Sequence, residues 1–100
     1  MKKINILLIE DNPGDARLIK EMLSDVRRIK AICSCAQSLQ QGMGQLHDNA
    51  FDVILLDLGL PDSMGLSSLD QIQALNDQVP VIIMTGGSDG GTGVQAMAKG

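Results

Sequence analysis

The chain is nearly devoid of aromatic residues: Phe51 stands alone, with no tryptophan and no tyrosine. Its core must be aliphatic, with the six methionines expected to help fill it. No apolar run approaches the roughly 20 residues that span a bilayer. The opening "MKKINILLIE" is cut short by Glu10 and Asp11, too soon for the core of a signal sequence. Positive charge is in deficit: the formal net charge is −4, so there is no basic footprint for nucleic acid. Cysteine is scarce. Cys33 and Cys35 lie one residue apart, in neither a disulfide-framework nor a zinc spacing. Two reduced thiols packed on a strand, in a cytoplasmic protein with no membrane or nucleic-acid partner, is the expectation.

What is present is the hydrophobic content of a globular chain, 44% over 100 residues, the size of one small domain. "INILLI" (Ile4–Ile9) is a short β-branched apolar run and predicts a strand. Asn12 suits a helix N-cap and Pro13 the first helical position. Ala16, Ile19, Met22, Leu23 and Val26 then recur with helical period. Ile29–Cys35 predicts a second strand. "SLQQ" at Ser38–Gln41 predicts a capping box and a helix to about His47. Gly42 and Gly44 inside that helix each cost about 1 kcal/mol relative to alanine, so it should be the loosest. Phe51–Leu56 predicts a third strand, Leu66–Leu75 a third helix, Val79–Thr85 a fourth strand, and "VQAMAKG" a short closing helix. Nearly all-apolar strands alternating with helices indicate an open parallel α/β sheet covered on both faces.

In such sheets sites form beyond the carboxyl ends of the strands. Glu10 and Asp11 follow the first strand, Asp57 ends the third, and Thr85 and Gly86 follow the fourth. Carboxylates brought together there repel and raise one another's pKa unless a cation neutralises them. A hard oxygen set of this kind suits Mg²⁺. Thr85 offers a hydroxyl, and Gly86 offers room and an N–H for an anion. The bland alternatives are that Asp57 is a solvated strand end, that Glu10 balances a helix dipole, and that Thr85 is an ordinary β-branched strand residue. His47 reads as a surface residue. "GTGVQA" (Gly91–Ala96) fits a dinucleotide fingerprint only loosely, since it follows the fourth strand rather than the first.

Three stretches, "LLIEDNPGDARLI", "DVILLDLGLPDS" and "VPVIIMTG", occur in order over nearly the whole chain. Together they resemble the receiver domain of two-component response regulators, and the wording "EDNPGD" and "DLGLPDS" is most similar to the small single-domain regulators that partner bacterial phytochromes. The resemblance implies a flavodoxin-like (CheY-like) three-layer α/β/α fold over residues 1–100. It implies that Asp57 accepts a phosphoryl group from the phosphohistidine of a sensor histidine kinase or phosphotransfer protein. It implies Mg²⁺ held by Asp11, Asp57 and the carbonyl of Gly59, with Glu10 assisting through water. The N–H groups of Leu58 and Gly86 and the hydroxyl of Thr85 would bind phosphoryl oxygens, Thr85 moving as the switch. On this reading the chain modifies itself and is not an enzyme with a separate substrate.

The family also carries a fifth strand ending in a lysine, followed by a fifth helix, and neither is expected here: about four βα units remain. Lys99, in the expected closing helix, could not replace that lysine. The fourth strand would then be a bare edge and one sheet face would lose a covering helix, which predicts a homodimer or larger assembly. The alternative function is an interaction module on a receiver scaffold, without phosphorylation.

Overall fold

The computed structural model describes residues 2–60, 62–84 and 96–99, with Ser63, Met64 and 96–99 described by backbone alone. Strand β1 (Lys2–Ile9) leads to helix α1 (Pro13–Ser24), strand β2 (Ile29–Ala36) and helix α2 (Leu39–Asp48). Strand β3 (Val53–Asp57) is followed by two short strands, β4 (Gly59–Leu60) and β5 (Ser63–Met64), then helix α3 (Ser67–Leu75), strand β6 (Val81–Met84) and strand β7 (Ala96–Lys99).

The main sheet has the order β2-β1-β3-β6-β7. Its first four strands are parallel: Ile9 lies opposite Ala36 on one side and Leu56 on the other, and Asp57 opposite Met84. Because side chains alternate along a strand, the sheet divides its apolar residues between two cores. Leu7, Ile9, Ile54, Leu56, Val81 and Ile83 face α2 and α3, packing with Leu39, Leu46, Leu69 and Ile72. Ile6, Leu8, Leu55 and Met84 occupy the other face with Ala16 of α1, and Ile19, Leu23, Cys33 and Cys35 pack against them. The result is the expected α/β/α sandwich.

Helix ends follow the local chemistry. The Asn12 side chain accepts from the Asp15 N–H at 3.1 Å, with Pro13 in the first turn. Ser38 accepts from the Gln41 N–H at 3.2 Å, the first half of the expected capping box, while the Gln41 side chain accepts at 3.0 Å from the N–H of Gln37, one residue before the N-cap. Gly42 is not the weakness expected of it. A Cβ there would stand 2.5 Å from the Ile9 Cδ1, so its bare backbone is what lets α2 settle on β1.

Three expectations are corrected. Within the stretch expected as a closing helix, Ala96–Lys99 is a strand, antiparallel to β6, with Lys99 opposite Val81 and Ala96 opposite Met84. The unpaired N–H and C=O groups along β6 reward pairing, whereas a single turn does not repay its nucleation cost even in good helix formers such as alanine, methionine and lysine. The outer edge of β6 is therefore occupied, and the bare edge offered as the reason for a homodimer does not exist in this fold. On the other face, which α1 alone covers among the described helices, Leu8 is fully buried and Leu55 and Met84 are 9% and 7% exposed, while Val53 and Ile82 are partly buried. Not every methionine fills the core: Met22, with Leu18 one turn earlier, lies on the solvent side of α1, and Val26 beyond it is exposed too.

Candidate functional site

The acids meet where β1 and β3 leave the sheet. The register that sets Ile9 beside Leu56 brings Glu10, the next residue, level with Asp57. Glu10 is held there by its own N–H, which donates to the Ala36 carbonyl at 2.9 Å. Alternation sends Asp57 to the same side of the sheet as Val53 and Leu55, towards α1. Asp11 follows directly, and oxygens of Glu10, Asp11 and Asp57 all lie within 4.8 Å of one another. Glu10 is buried, Asp57 half-buried and Asp11 exposed. A shallow depression of about 240 Å³ opens beside them, with Glu10, Arg17, Lys20 and Cys35 in its lining.

The electrostatics are those of crowded like charges. Burial, a side-chain hydrogen bond to Asp57 and the charges of Asp57, Asp11 and Asp15 push the Glu10 carboxyl up to about 8. Among the described residues, no lysine or arginine forms an ion pair with the three acids: the pairs present are Arg17–Glu21 and His47–Asp48, both on the surface. Three carboxyl groups crowded together at a rim open to water have the chemistry of a divalent-cation site of hard oxygen donors. The residues present fit Mg²⁺. Cys33, by contrast, has its thiol pushed up to about 11 by burial, which suits packing rather than reactivity.

The segment after Asp57 is tied down. The Asp57 carboxylate accepts from the Gly59 N–H at 3.1 Å. Leu60 is buried in the core beneath α2 and α3. Gly65, at a φ of +60° that a side chain would resist, donates its N–H to the Leu58 carbonyl at 3.2 Å. Of the residues singled out in sequence, Glu10, Asp11, Asp57, Leu58 and Gly59 gather at this rim. Thr85 and Gly86, with the glycine-rich stretch 86–93 and most of "GTGVQA", lie outside the described residues. His47 is an exposed helix residue beside Asp48. Lys99 lies in register with Val81, at the opposite end of β6 from Met84.

One residue at this site was not foreseen. The Asp62 carboxylate accepts from the N–H groups of Leu39 and Gln40, at 2.8 and 2.9 Å, across the N-terminus of α2. These donors, Gln40 foremost, hold its carboxyl below the usual carboxylate range. Asp62 is separated by more than 20 residues from the helix it caps, so no local pattern announces the contact.

The response regulator receiver domain matches residues 6–100 of the chain. The chain belongs to that family. The receiver domain is 36% identical over 88 residues to the transcriptional regulatory protein MalR of Bacillus subtilis (strain 168), a match covering 86% of this chain and 36% of MalR. It is 31% identical over 97 residues to the transcriptional regulatory protein ZraR of Escherichia coli (strain K12), covering 97% of this chain and 21% of ZraR. The receiver domain thus corresponds to about a third or less of these curated relatives' length. Among solved structures, the phosphorylated cyanobacterial phytochrome response regulator RcpA superimposes with a TM-score of 0.74 at 27% identity, covering 86% of this chain and 67% of that one.

Proposed function

We propose that this receiver domain takes a phosphoryl group on Asp57 from the phosphohistidine of a sensor histidine kinase or phosphotransfer protein in the cytoplasm. The observation that carries this reading is the convergence of Glu10, Asp11 and Asp57 at the carboxyl-terminal rim of the parallel sheet. An Asp57 carboxylate oxygen bonds to phosphorus as the phosphorus–nitrogen bond to imidazole breaks, and the imidazole leaves with a proton. Asp11, Asp57 and the Gly59 carbonyl would hold Mg²⁺, with Glu10 reaching it through water. The ion supplies charge neutralisation for the transferring group. The protein's own work is positioning: β3 presents Asp57 from a buried strand, and the Gly59 N–H orients its carboxylate. The N–H groups of Leu58 and Gly86 and the Thr85 hydroxyl are assigned the phosphoryl oxygens, Thr85 following Met84, the register partner of Asp57. The resulting acyl phosphate is hydrolysable, so the domain would catalyse its own resetting rather than act as an enzyme on a separate substrate.

The test is to incubate the chain with Mg²⁺ and acetyl phosphate or beryllofluoride and measure intact mass and amide spectra. An adduct is expected that Asp57→Asn abolishes; a wild-type chain that forms none would overturn the reading.

A further inference from the structure

We propose that Asp62 is a positioning residue, which straps the loop after Asp57 to the N-terminus of α2 and so couples that helix to the geometry of the acidic site. The inference rests on the reading of Asp57 as phosphoacceptor for its consequence, though not for its geometry.

Asp62 stands at the tip of the small hairpin formed by β4 and β5, where Gly59 pairs with Met64 and Leu60 with Ser63. The base of that hairpin is the site itself, since Gly59 donates to Asp57 and its carbonyl is the one assigned to the metal. Only two residues separate base from tip. With Leu60 buried between them, the hairpin has little freedom to absorb a displacement at one end without passing it to the other.

The contact is more than helix capping. A helix leaves its first four N–H groups without partners, and locally Ser38 answers only that of Gln41, which leaves the N–H groups of Leu39 and Gln40 to Asp62. The two further bonds come from a remote segment and engage both carboxylate oxygens, each on a different N–H group. They are charge-assisted, and they set an anion on the positive end of the helix dipole. In the other direction, α2 is seated on β1 through the close approach of Gly42 to Ile9, the residue before Glu10. The two arms of the acidic cluster are thus bridged by one helix, held by Ile9 packing on one side and by Asp62 on the other.

The experiment compares Asp62→Ala, Asp62→Asn and Ser38→Ala in the full chain, by amide hydrogen exchange and by Mg²⁺ titration followed in amide spectra. Ser38→Ala weakens the same helix end without touching the loop, so it controls for capping alone. Asp62→Ala should speed exchange at Gly59 and Gly65 about tenfold relative to β1 amides and weaken Mg²⁺ binding by about tenfold. Asp62→Asn, which keeps one acceptor oxygen, should fall between, and Ser38→Ala should affect only Gln41 and its neighbours. The inference is overturned if Asp62→Ala alters exchange at Leu39 and Gln40 alone, or if Ser38→Ala loosens Gly59 equally. A wild-type chain that binds no Mg²⁺ defeats the phosphoacceptor reading, while the exchange measurements still decide the coupling.

Discussion

Carboxyl oxygens of Glu10 and Asp57 lie within 4.8 Å of each other at the point where two neighbouring parallel strands leave the sheet. Two carboxyl groups held this close repel one another, and burial leaves Glu10 as the one that keeps its proton. Its carboxyl is raised from 4.5 to about 8. In the absence of metal, the folded state therefore holds a proton that the unfolded chain has released throughout that interval. The Glu10 contribution to stability is fully present below about pH 4.5 and is lost as pH rises towards 8. Thermal unfolding in a chelator should show the melting temperature of wild type falling, relative to Glu10→Gln, across this window. A constant difference between the two proteins would contradict the assignment.

A divalent cation should reverse that dependence, because its charge takes the place of the Glu10 proton. Mg²⁺ is expected to raise the melting temperature more at pH 8 than at pH 5, and chelation should undo the gain. At a concentration 100 times its dissociation constant the ion would add about 2.7 kcal/mol. Asp11→Asn and Asp57→Asn should each remove most of the effect in calorimetric or dye-based melting.

The two glycines of α2 should respond to alanine with opposite signs. At Gly42 a methyl group would collide with the buried Ile9 side chain, and overpacking of this kind costs about 1–3 kcal/mol. At Gly44 nothing stands within 4 Å, so Gly44→Ala should stabilise by about 0.5–1 kcal/mol through helix propensity. Urea unfolding of the two variants decides the matter, and equal effects would rule out the close approach to β1.

Core and surface leucines should separate just as clearly. Leu56 is fully buried one residue before Asp57, and Leu56→Ala should cost about 2–5 kcal/mol by opening a cavity. Leu18 is 56% exposed on α1, and Leu18→Ala should stay within about 0.5 kcal/mol. Chemical denaturation of both variants gives the comparison directly.

Much of the fold was legible because its signals are local. Asn12 with Pro13, and Ser38 with Gln41, announce helix starts through chemistry between residues three or four apart. The apolar runs ending at Ile9, Leu56 and Met84 announce buried strands. The carboxylates of the site could be read as well, since each is covalently attached to the end of such a run. Asp62 was not legible, because its partners Leu39 and Gln40 are neighbours only in space. The role of Gly42 was hidden for the same reason: propensity sees a flexible residue, whereas Ile9 sees a gap.

The sequence by itself determined the alternation of strand and helix, the capped helix starts and the acids at the strand ends, all set by periodicity and by side chains acting on their own backbone. Only the tertiary structure decided that β1 and β3 lie side by side, which turns three separate acids into one cluster. It also decided the fate of Ala96–Lys99. Four residues that each favour a helix became an antiparallel strand because the edge of β6 offered hydrogen bonds that so short a segment could not supply for itself.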